Sequence, residues 1–90
     1  MCRNIRVLYN FDPPTTPEEI RASALQYVRK VSGLHTPSEA DRAAFERAVD
    51  TVAETTAALL RSLRARTAVR TREGERHKAR LRGIARASRR

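Results

Sequence analysis

Along residues 3–11 the apolar side chains alternate: Ile5, Val7, Tyr9 and Phe11 share one side, Arg6 and Asn10 the other. A period of two belongs to an extended segment. A single extended segment cannot satisfy its own backbone, so it must pair with a partner chain or lie along a helix surface. Asp12-Pro13-Pro14 ends it, because each proline restricts the residue before it to extended angles. The period then changes. Thr16-Pro17-Glu18-Glu19 is a helix start: Thr16 caps, Pro17 suits the first helical position, and Glu19 completes a reciprocal capping box. From Pro17 to about Ser32, Ile20, Ala24, Leu25, Val28 and Val31 make one apolar stripe, with Tyr27 at its edge. Arg29 and Lys30 occupy the last turn, where cations are favoured, and Gly33 is placed to close the helix in the left-handed conformation.

The same start signal returns at Thr36-Pro37-Ser38-Glu39, twenty residues on. The helix bodies differ, so these are two starts of one chemical type and not a repeat. In the second helix Phe45, Val49, Val52, Thr56, Leu59 and Leu63 step by four and three in strict alternation, the pattern of a packed seam. Ala44, Ala48, Ala53 and Leu60 widen it. Helicity is expected to persist to about Arg66 and then weaken. Gly74 and Gly83 each lower helix propensity by about 1 kcal/mol relative to alanine, and Leu81 and Ile84 are the large apolar residues left beyond Val69. With so little to bury, residues 67–90 read as a tail that is disordered or transiently helical when free.

Charge follows the same division. Residues 1–60 carry seven basic and eight acidic side chains, a net of −1, while residues 61–90 carry twelve basic and two acidic, a net of +10. The +9 of the 90-residue chain is therefore a C-terminal property. A near-neutral part that folds, followed by a polycation, points to a helical module with an electrostatic arm for a polyanion. Arginine outnumbers lysine by 17 to 2, a bias that also arises from GC-rich coding. No stretch reaches the roughly 20 apolar residues needed to span a bilayer, and the N-terminus has no signal-peptide pattern. The chain reads as soluble and cytoplasmic, and its single cysteine fits a reducing compartment.

Several stretches, taken together, have a recognisable pattern. Met1-Cys2-Arg3-Asn4-Ile5-Arg6, Asn10-Phe11-Asp12-Pro13-Pro14-Thr15-Thr16 and Glu18-Glu19-Ile20 open it. Leu25 to Gly33, Pro37-Ser38 and Ala44-Phe45-Glu46-Arg47-Ala48-Val49 continue it. Over roughly residues 1–63 the chain resembles a family of short, mostly bacterial proteins classed as a domain of unknown function, number 2277. The resemblance implies no reaction, ligand or catalytic residue. The arginine-rich extension past about residue 66 reads as peculiar to this member.

Candidate chemistry is sparse. If Met1 is removed, Cys2 begins the chain with a free amine beside a thiol, a pair that can chelate a soft metal or attack an electrophile, with Arg3 favouring the thiolate. The competing reading is a small residue packed near the start of the arm. His35 and His77 lie far from Cys2 and from each other in sequence, so no zinc-type spacing exists. The serines lack a nearby His–Asp arrangement, and no glycine-rich loop could cradle phosphate. No enzyme and no cofactor are expected. The candidate nucleic-acid-binding residues are Arg61, Arg64, Arg66, Arg70, Arg72, Arg76, Lys78, Arg80, Arg82 and Arg86. Without an aromatic residue in the tail, contact would be with phosphates and non-specific, with no base stacking.

The sequence thus predicts an all-α protein. An N-terminal arm and an antiparallel helical hairpin form a domain over residues 1–66, and a basic, flexible tail covers 67–90. The hairpin has more apolar stripe than two helices can cover, so a homodimer with a four-helix core is expected. The leading function is a non-enzymatic binding module whose tail contacts nucleic acid or another polyanion. The alternatives are a thiol or metal site at Cys2 and a protein-interaction module.

Overall fold

A computed structural model describes residues 5–88 of the chain. Three helices occur in the order α1 (Pro17–Ser32), α2 (Arg42–Ser62) and α3 (Arg72–Ser88), with no strand among the described residues. The all-α class and the antiparallel α1–α2 hairpin are as the sequence predicts.

Helix α1 starts as its sequence demands. The Thr16 hydroxyl accepts from the Glu19 backbone N–H at 3.2 Å, and a Glu19 carboxylate oxygen accepts from the Thr16 N–H at 2.9 Å. Two of the orphan donors at the helix start are thereby satisfied reciprocally. At the other end Gly33 adopts φ 72° and donates to the Arg29 carbonyl at 2.9 Å. That left-handed angle strains any residue with a Cβ.

Helix α2 begins later than its apparent start signal. Ser38, not Thr36, supplies the capping chemistry: its carbonyl and hydroxyl both accept from the Asp41 N–H, at 3.1 and 3.3 Å. This closes a turn over residues 38–41, and the helix proper starts at Arg42 with no side-chain cap from Asp41. It also stops at Ser62, earlier than the expected Arg66. Leu63 turns to extended angles, freeing the chain to cross back towards the N-terminal arm.

Where the two helices meet, Ala24 and Val28 pack against Phe45 and Val49, the four buried side chains of the core. Leu25, Ala48, Val52 and Ala53 flank them. Arg21 and Asp50 form an ion pair between the helices, both about half exposed, so it adds orientation more than stability. The seam runs on past the core: Leu59 and Leu63 are 54% and 46% exposed, and Tyr27 and Val31 on α1 are also open.

The arm is extended in outline only. Alternation breaks at Asn10, which takes φ 63°; Leu8, Tyr9 and Phe11 are all half-buried while Ile5 and Val7 stay exposed. Its backbone partner is the chain's own segment after α2, a pairing the sequence reading did not anticipate. Arg70 donates its N–H to Asn10 at 2.7 Å, and Asp12 donates to the Arg70 carbonyl at 3.0 Å, forming one parallel bridge between Phe11 and Arg70.

The tail, expected to be disordered or transiently helical when free, forms α3. Its glycines cost less than their propensity implies at one of the two sites, because Gly74 lies in the first turn, where its N–H donates to the Thr71 hydroxyl at 3.0 Å. Helix α3 packs against neither α1 nor α2 and has no buried residue. The radius of gyration, 15.7 Å, exceeds the roughly 12 Å of a compact chain of this length. Helix α3 stands off the hairpin.

Candidate polyanion interface

The ten basic residues singled out by sequence divide into three groups by position. Arg70 and Arg72 turn inward. Arg72 grips Glu19 through two bonds, Nε to Oε2 at 3.0 Å and Nη2 to Oε1 at 2.8 Å. Its Nη1 also donates to the Pro13 carbonyl at 2.8 Å, and the guanidinium lies 5.2 Å from the centre of the Phe11 ring. A planar fork with donors on three nitrogens is what this site needs, and lysine could not reproduce it. Arg70 reaches the Tyr9 carbonyl with Nη1 at 2.7 Å and approaches Glu75 at 3.9 Å. Asn10 completes the clasp, its side-chain amide donating to the carbonyls of Thr67 and Ala68 at 3.2 and 3.1 Å.

This clasp sets the electrostatics of Glu19. The paired Arg72 guanidinium, helped by the Thr16 N–H, lowers its carboxyl pKa from 4.5 to about 2. The same pairing raises the Arg72 pKa. Glu19 therefore has two roles, one in the α1 capping box and one in holding the start of α3. Sequence reasoning found the first and missed the second, along with Asn10 and the Pro13 carbonyl. One signal was available: Pro13 and Pro14 leave two successive carbonyls in a stretch with few backbone donors.

Arg61, Arg64 and Arg66 form the second group. Arg61 sits in the last turn of α2, and the other two are exposed on the connection to α3. The third group is on α3, where Arg76, Lys78, Arg80, Arg82 and Arg86 are all exposed. At about 100° per residue they spread, with Arg72, over roughly 200° of the helix circumference. Leu81 and Ile84 occupy the other side, 52% and 64% exposed. Lys78 is the member of this group with an ion-pair partner on its own helix, Glu75 at 3.1 Å. The arc can neutralise a row of phosphates, and it offers no aromatic face on which a base could stack.

The other candidates, His35 and His77, form no common site with a third ligand among the described residues. Cys2 lies outside the described residues. His35 is an exposed loop residue whose carbonyl accepts from Arg29 Nε at 3.0 Å, and His77 is exposed on α3. Among the described residues no group of three His, Cys, Asp or Glu side chains could hold a metal ion. Nor, among them, is any helix long and apolar enough to cross a membrane.

No curated protein and no solved structure matches the chain. A family match does exist, and it covers residues 1–78. It thus runs past the expected limit near residue 63 and takes in Arg70, Arg72 and the first part of α3. The reading of everything beyond about residue 66 as peculiar to this member is corrected accordingly. Arm, hairpin and clasp all lie within the matched span, and the chain belongs to the family described as Uncharacterized conserved protein (DUF2277).

Proposed function

We propose that the protein is a non-enzymatic binding module that holds nucleic acid electrostatically along α3. The observation that carries this reading is the division of labour among the arginines. Arg70 and Arg72 are used to fasten α3 to the hairpin, while the cationic arc beyond them packs against no other helix. A duplex or single strand of nucleic acid presents the regular negative charge that such an arc complements.

The test is mobility of labelled duplex and single-stranded DNA between about 50 and about 200 mM salt. The triple variant Arg80→Gln/Arg82→Gln/Arg86→Gln leaves the clasp intact. Its binding should weaken for every sequence alike, with the slope of log affinity against log salt reduced by about 0.9 per lost duplex contact. Affinity and slope unchanged in the triple variant would refute the assignment.

A second reading concerns partners: the hairpin pairs with another copy to complete a four-helix core. It is supported by the seam of α2, whose early members Phe45 and Val49 are covered by α1 while Leu59 and Leu63 are left open. Sedimentation equilibrium of the full chain against Leu59→Glu/Leu63→Glu tests it. A monomeric unmodified chain would remove the dimer from the account.

A further inference from the structure

The arm does not lie flat on the hairpin. Between it, the start of α1 and the second half of α2 is an open groove of about 670 Å³, within the volume range of small-molecule sites. Its walls are mostly apolar: Leu8 and Phe11 come from the arm, Ile20 from α1 and Leu60 from α2. Two charged side chains of α2, Glu54 and Arg61, border it without a partner among the described residues. A third, Arg21, is already paired with Asp50. Glu54 and Arg61 are seven residues apart, so they share a face of α2 at about 10 Å separation.

From this arrangement we infer that the groove is a binding site for a small apolar monocarboxylate. The carboxylate pairs with Arg61 while the hydrocarbon body lies against Leu8, Phe11, Ile20 and Leu60. Burying hydrocarbon supplies affinity, and the charge-assisted bond to the guanidinium fixes direction. Glu54 adds selectivity by repulsion: a second negative charge at the far end of a ligand that long would face a carboxylate. The inference is separate from the reading of α3, since Arg61 lies on α2 and outside the cationic arc.

The probe is octanoate, compared with octanol and octanedioate, titrated into the full chain and followed by backbone amide NMR. Octanoate should bind saturably, moving the resonances of Leu8, Phe11, Ile20 and Leu60. Octanol should bind about tenfold more weakly, the loss of one charge-assisted bond, and octanedioate about tenfold more weakly through the repulsion of its second carboxylate by Glu54. Arg61→Gln should abolish the preference for octanoate over octanol. Ala57→Phe, which fills the groove wall and leaves Arg61 in place, should abolish binding of both. Arg80→Gln/Arg82→Gln should bind octanoate as the unmodified chain does. Equal affinity for octanoate and octanol, shifts confined to α3, or shifts that follow protein concentration because a second copy covers the groove would each overturn the inference.

Discussion

Arg72 joins the first turn of α3 to α1 through Glu19, and Arg72→Gln isolates its contribution. In the native protein the guanidinium donates twice to Glu19, once to Pro13 and, at 3.4 Å, to Pro14. Glutamine keeps two of the three methylene groups of the stem and removes the charge and the fork. The Thr16 N–H still donates to Glu19, so the carboxyl loses its largest perturbation and keeps the next. Its pKa should rise from about 2 towards the ordinary 4.5 without reaching it. The sign for stability follows. A carboxylate whose pKa is depressed in the fold stabilises the fold above its unfolded pKa, and that contribution is lost as pH falls from about 4.5 through about 2. The native protein should therefore lose this stability progressively as pH falls from about 4.5 to about 2, and the Arg72→Gln variant should show less of this acid-dependent loss. Carbon-detected NMR of the Glu19 carboxyl through an acid titration reads the pKa directly. Arg70→Gln serves as the control, because Arg70 does not touch Glu19 and its loss should leave that titration unchanged. A Glu19 pKa that stays near 2 in Arg72→Gln would show that the clasp is not what holds the carboxylate ionised.

Three further outcomes test the fold. Phe45→Ala removes the largest side chain of a four-residue core and should cost about 3 kcal/mol or more, enough in so small a domain to abolish cooperative thermal melting followed by circular dichroism. Thr16→Ala removes the hydroxyl that accepts from Glu19 and should lower stability in denaturant titration by about 1 kcal/mol, the usual value of a helix cap. Gly83→Ala adds a methyl group where nothing lies within 4 Å; it should favour helical α3 by about 1 kcal/mol and raise the circular-dichroism helix signal, whereas a fall would mean that α3 is not helical there.

What could be read from sequence was what local chemistry decides. Helix α1 was legible from end to end because its limits are fixed by neighbours: Thr16 with Glu19, Gly33 with Arg29. The core face of α2 was legible from spacing alone. Its first residue was not, since Thr36-Pro37 and Ser38 offer two capping hydroxyls of the same type and only the path of the loop selects Ser38. The clasp was illegible for a different reason. Arg70 and Arg72 are chemically identical to the arginines around them, and their partners lie more than fifty positions away. The alternation of the arm does not carry through Asn10, whose positive φ breaks the register, a conformation that asparagine adopts more readily than most residues.

Helix α3 is fastened at its first turn, and among the described residues its side chains make no bond to the hairpin beyond that turn. Mechanically it is a cantilever. Seventeen residues at about 1.5 Å each give a beam of roughly 25 Å, so a tilt of about 10° at the pivot carries the tip through about 4 Å. Such a beam can follow a curved or uneven charged surface while the hairpin that carries it stays still.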